Sequence, residues 1–117
     1  MNLFTYLLLG HLVGDYLLQS SWMAMNKADK LFPLLTHCSI YTFSVSTAVI
    51  IGGFPLPIIA VVIIFISHVW LDKRIFVVWW TKKIMGVKQP EGNWLLIMTD
   101  QTFHLLVLGF VAHFFYR

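Results

Sequence analysis

Seven polar side chains stand in stretches of this sequence that are otherwise apolar: His11, Asp15, His37, His68, Asp72, Asp100 and His104. Imidazole nitrogens and carboxylate oxygens suit zinc, manganese or iron, and the same groups serve as general acids and bases. Their spacing is informative. His11-x-x-x-Asp15 and His68-x-x-x-Asp72 put a histidine and an aspartate four residues apart, on one face of a helix. Asp100-x-x-x-His104 repeats the spacing in the opposite order. A charged group at the centre of a membrane helix costs about 2.5–3.5 kcal/mol on insertion scales, so such groups need partners and commonly mark function. A divalent ion held by this set would bring a coordinated water to a pKa of about 7 and polarise an ester or phosphoester. Asp72 or Asp100 would then act as general base.

The elements that must position these residues follow from composition. Of 117 residues, 59% are hydrophobic and 11% charged, whereas a soluble domain carries roughly 25% charged residues. The expectation is an all-α membrane protein with one domain, 1–117. Four segments, 2–20, 32–52, 56–80 and 94–116, have the length and apolarity of a span of about 20 residues. They predict a four-transmembrane-helix bundle. The link Ser21–Leu31 carries Lys27, Asp29 and Lys30. The second, Gly52–Pro57, is an uncharged Gly/Pro turn. The third, Thr81–Asn93, holds Lys82, Lys83, Lys88 and Glu91, with Gly86, Pro90 and Gly92 as breakers. Lysines on the first and third links place these at the cytoplasm and both termini on the outer side; Arg117 is the one side-chain charge against this. Trp22, Trp79, Trp80 and Trp94 flank the same links as an interfacial belt would. The first segment lacks a positive n-region and a small-residue cleavage site, which predicts a retained helix. The net charge of +3 comes from few basic residues beside apolar segments, so no nucleic acid is expected as a partner. Cys38, the single cysteine, is expected as a small buried hydrophobe.

This topology explains the reversed order in the fourth segment. Helices one and three run inward, helix four outward, so only Asp-then-His brings Asp100 level with Asp15 and Asp72. The histidine and aspartate layers then lie about 6 Å apart, with His37 near the aspartates. The expected ligands are all seven residues, for one or two divalent transition-metal ions. Gln19 continues the His11/Asp15 face, and Lys73 and Arg74 follow Asp72; these are the candidate substrate-binding residues. Tyr41 and Ser44 continue the His37 face and are expected to hydrogen-bond between helices, and Gly10-x-x-x-Gly14 to allow close packing. His113 is expected to be interfacial. There is no Gly-x-Ser-x-Gly elbow, phosphate-binding glycine loop or His-Glu-x-x-His motif.

The string from His11 through Asp15, Gln19 and Trp22 to Lys27, with His37, His68-Val69-Trp70-Leu71-Asp72-Lys73 and Asp100-Gln101-x-x-His104, resembles a family of small bacterial and phage membrane proteins known as a domain of unknown function. The resemblance spans almost the whole chain and implies a bacterial inner-membrane, multi-pass protein, or one in the host inner membrane if phage-encoded. More loosely, the set resembles membrane-bound metal-dependent hydrolases. The expected function is metal-dependent hydrolysis of a membrane lipid or membrane-associated ester or phosphoester near the cytoplasmic face. Two alternatives stand: a proton or metal-ion transporter or channel using the same cluster, for which a homo-oligomer would enclose the pathway, and a membrane regulator with a structural metal.

Overall fold

The computed structural model describes residues 1–91 and 93–116; Gly92 and Arg117, expected as a breaker and as an outer-side charge, lie outside the described residues. Among the described residues all regular structure is helical. Helix α1 (Leu3–Leu12) begins where the Asn2 side chain accepts from the Thr5 amide at 2.9 Å. It runs into a π-helical turn, Val13–Leu17. Short α2 (Ser21–Asn26) is capped by the Ser20 hydroxyl. Three further apolar helices follow, α3 (Leu31–Ile51), α4 (Ile58–Asp72) and, after α5 (Ile75–Lys83), α6 (Trp94–Phe115). α3 and α6 are long and apolar enough to cross a membrane; Leu3–Leu17 and Ile58–Asp72 are shorter apolar helices.

Two stretches depart from the expected continuous helices. The first, 2–20, leaves α-geometry at Val13, where the Leu18 amide bonds the Val13 carbonyl five residues back at 2.9 Å, and its helix ends at Leu17. The stretch 56–80 divides at Arg74, whose φ of 65° is left-handed. A helix cannot continue through that conformation, so α5 sets off in a new direction.

The four apolar helices close a ring, α1 against α3, α3 against α4, α4 against α6 and α6 back to α1. The α1–α3 approach is close enough to demand glycine. A Cβ on Gly10 would stand 2.8 Å from the Val45 Cα, and one on Gly14 3.1 Å from the Tyr41 Cα. The Ser44 hydroxyl also donates across this seam to the Gly10 carbonyl at 2.9 Å. One apolar core, including Leu7, Val45, Val49, Ile64, Leu108 and Val111, fills the ring toward the α3–α4 turn. A smaller one, Leu71, Val77 and Leu96, joins α4, α5 and α6 at the other end. The polar residues lie between the two.

Candidate metal centre

All seven sequence candidates are buried, each at most 2% exposed. The π turn carries Asp15, α3 His37, α4 His68 and Asp72, and α6 Asp100 and His104. His37 Nε2 stands 2.9 Å from Asp15 Oδ1, 3.1 Å from Asp72 Oδ2 and 3.0 Å from His68 Nε2. His68 Nε2 is 3.0 Å from Asp72 Oδ2 and 3.5 Å from Asp15 Oδ1. Ligands at 2.0–2.1 Å from a tetrahedral ion stand about 3.3–3.4 Å from one another. Five of the six edges among these four atoms therefore have roughly that length. A second group, Asp72, Asp100 and His104, shares Asp72 with the first, and His104 Nε2 lies 3.3 Å from Asp72 Oδ1.

Only part of this convergence is hydrogen bonding: His37 Nε2 is within hydrogen-bonding distance of Asp15 Oδ1 and of His68 Nε2. Both Asp72 oxygens, Asp100 Oδ1, His104 Nε2 and the Nδ1 atoms of His37 and His68 are buried without a hydrogen-bond partner among the described residues. Buried polar atoms left this way are costly. The carboxylate oxygens and imidazole nitrogens that converge here, some of them without a hydrogen-bond partner, are of the donor types that suit a transition-metal cation, and these groups could hold one. Hydrogen bonds set the rings. His104 Nδ1 lies 2.7 Å from the Asp100 carbonyl oxygen, which can only accept, so Nδ1 carries the proton and Nε2 turns toward Asp72. Tyr41 stacks on His68 with centroids 3.7 Å apart.

His11 stands one step back. Its Nδ1 is 2.7 Å from the Tyr41 hydroxyl and its Nε2 2.6 Å from Gln101 Oε1. Gln101 Nε2 donates to Asp15 Oδ2 at 2.7 Å. An ionised carboxylate only accepts, so the Gln101 amino group must face Asp15 and its carbonyl His11. His11 then donates from Nε2 and accepts from Tyr41. The expected direct His11–Asp15 pair is thus replaced by a relay through Gln101. The π turn adds a residue to the local repeat and re-aims Asp15 toward α3. One Asp15 oxygen is tied down, and the other points into the cluster.

The family model described as "Protein of unknown function (DUF3307)" matches residues 3–117. The chain belongs to this family. No curated protein and no solved structure matches it.

In this family member two residues outside the seven complete the centre. Gln101 is one. The other is Lys27, expected on an exposed link but 4% exposed, with Nζ 3.2 Å from Asp72 Oδ2. Short α2 folds back on α3 and its C-cap lysine enters from the link side. The available signal was Ser20, which caps a short helix that shortens the link and leaves Lys27 at its C-terminal end. With its histidines neutral, the buried set holds three carboxylates and one ammonium, two negative charges in excess. One divalent cation closes that balance. The three substrate-binding candidates lie elsewhere. Gln19 donates to the Asp15 backbone carbonyl at 3.1 Å, which steadies the π turn. Lys73 and Arg74 line a separate cavity that none of the seven cluster residues lines. Beside the cluster, an apolar groove of about 430 Å³ runs between α4 and α6. Ser67, Leu71 and Val107 line both this groove and the tight space against His68 and His104.

Proposed function

We propose that this chain is a four-span protein of the bacterial inner membrane that binds a divalent transition-metal ion and hydrolyses an ester or phosphoester bond of a membrane lipid. The observation that carries the reading is the convergence of Asp15, His37, His68 and Asp72 at tetrahedral edge lengths, 2.9–3.5 Å, inside a bundle whose outer face is apolar. Phe43, Ile58, Ile66 and Leu106 are 60–81% exposed. In water, so large an apolar surface would mark an interface; around a ring of helices it suits acyl chains. The long axis of 44 Å is comparable to a bilayer with its headgroups, about 40–45 Å. The two 15-residue helices reach about 22 Å, and their flanking turns complete the crossing.

In this reading Asp15, His37, His68 and Asp72 would hold one ion, of the zinc, manganese or iron class; a water would join it as a fifth ligand, and the ion would acidify that water and act as a Lewis acid. Asp72 has Lys27 and three histidine nitrogens 3.0–3.3 Å from its oxygens, which favour its ionised form and make it a poor base. His104 is better placed: its Nδ1 proton is held by the Asp100 backbone, and its Nε2 lone pair faces the cluster. It takes the proton of the attacking water and returns it to the leaving alkoxide, while the water oxygen bonds the acyl or phosphoryl centre. Asp100, with Oδ1 3.6 Å from His104 Nδ1, steadies the imidazolium. The α4–α6 groove takes a chain of the lipid.

Elemental analysis of detergent-purified protein tests this: about one divalent ion per chain, lost in Asp72→Asn. His104→Gln and Asp100→Asn should keep the ion and the fold but lose lipid turnover. A folded, active protein free of metal and indifferent to chelator sinks the reading. The relay Tyr41–His11–Gln101–Asp15 favours a second reading, proton transport. Proton flux in liposomes that disappears in Gln101→Leu, without lipid turnover in the parent protein, would establish it.

A further inference from the structure

The cluster leaves a second constellation unused. A cavity of about 500 Å³ lies between α2, α4–α5 and the start of α6. Its wall carries Lys73 and Arg74, just after α4, with Asp29 after α2 and Glu91 before α6. Two cations and two anions make this wall neutral overall, yet none of the four enters an ion pair among the described residues. Ala28 and Val78 lie among them. Arg74 Nε is buried without a hydrogen-bond partner. The half-buried Arg74 side chain lines the cavity, and a guanidinium there offers donors to an oxyanion. Two of its lining residues are next in sequence to the metal centre: Ala28 follows Lys27 and Lys73 follows Asp72, and Lys27 and Asp72 pair at 3.2 Å.

The geometry points to a binding site for a zwitterionic headgroup of the phosphoethanolamine type, with its phosphate on Lys73 and Arg74 and its ammonium on Asp29 and Glu91. A simple anion would satisfy the cations and leave two carboxylates facing its charge. A zwitterion satisfies both signs and matches the neutral wall. The amine must carry N–H donors. A quaternary ammonium is held by aromatic faces, and no aromatic side chain lines this cavity. A headgroup here is held by residues next in sequence to Lys27 and Asp72, and on the proposed reading it belongs to the lipid that the enzyme acts on. It rests on that reading for this meaning, but its binding is measurable without turnover.

The test uses full-length protein in detergent, its metal content measured first, titrated calorimetrically with glycerophosphoethanolamine, glycerophosphocholine and inorganic phosphate. Because Lys73, Asp29 and Glu91 are exposed and screened, the affinity for the ethanolamine probe should be of millimolar order. It should exceed that for the other two probes about tenfold. Arg74→Gly should weaken it about tenfold while the protein folds, because glycine accepts a φ of 65°. Asp29→Asn with Glu91→Gln should remove the preference for the amine and leave weak phosphate binding. Equal binding of inorganic phosphate overturns the inference. So does a preference that survives the double carboxylate change, or no binding by folded parent protein. Protein that binds the probe with these specificities but turns over no lipid keeps the headgroup site and removes the hydrolase.

Discussion

Asp15 has one oxygen bound by Gln101 and the other directed at His37 and His68. That division of labour is what outer hydrogen bonds do for a metal ligand: they fix its orientation and tune its basicity. Gln101→Leu strands Asp15 Oδ2 and His11 Nε2 together. Metal affinity should fall about 10–100-fold with helicity unchanged, read by competition with a chromogenic chelator. Lys27 predicts the opposite sign. It repels a bound cation while neutralising Asp72 when none is bound. Lys27→Met should tighten the metal about tenfold or more, yet destabilise metal-free protein by about 3–5 kcal/mol, visible as a lower Tm after chelation. Seven members of the centre were legible because a histidine or aspartate in an apolar stretch is conspicuous. Tyr41 was legible as an interhelical hydrogen-bonding residue, and it bonds His11; Gln101 was not, since neutral polar residues in membrane helices ordinarily bond a neighbouring helix. Lys27 was missed for another reason: it stands in a charged link, where a lysine's default is to face water.

At the scale of elements, sequence spacing implied regular helices and the structure departs from them where the site is built. The π turn at Val13–Leu17 and the left-handed Arg74 both sit next to site residues. Neither has a signature, because Val, Asp and Tyr tolerate an α-helix and Arg seldom adopts positive φ. The glycine seam was legible, and it can be tested against an internal control. An added Cβ on Gly10 meets backbone at 2.8 Å, which cannot give way, whereas one on Gly109 meets nothing within 4 Å. Gly10→Ala should therefore destabilise by about 1–3 kcal/mol. Gly109→Ala, in the middle of α6, should be neutral or stabilising by up to about 1 kcal/mol. Unfolding in mixed detergent micelles measures both. Equal effects would mean that α1 and α3 do not meet at this seam.

For the whole molecule, a charged set is enclosed between two apolar cores while many large aliphatic and aromatic side chains are exposed. The reversed Asp100/His104 order was readable only with topology in hand. It makes sense because α6 runs antiparallel to α4, so matching layers require mirrored sequence. In the proposed membrane setting, the distribution of lysines over the two ends gives an expectation for which end faces the cytoplasm. Lys27 is spent on Asp72, but Lys30, Lys82, Lys83 and Lys88 remain exposed at the link end, while the α3–α4 turn has no charge. That bias predicts the link end inside. Single-cysteine labelling can check it against a quiet background, because Cys38, the one native cysteine, is 0% exposed. Lys83→Cys and Pro55→Cys both place a thiol at an exposed position, at opposite ends of the bundle. A membrane-impermeant maleimide should label Pro55→Cys in right-side-out vesicles and Lys83→Cys only in inverted ones, with the parent protein unlabelled in either. The reverse pattern would turn the bundle over, and with it the leaflet from which a lipid reaches Lys73 and Arg74.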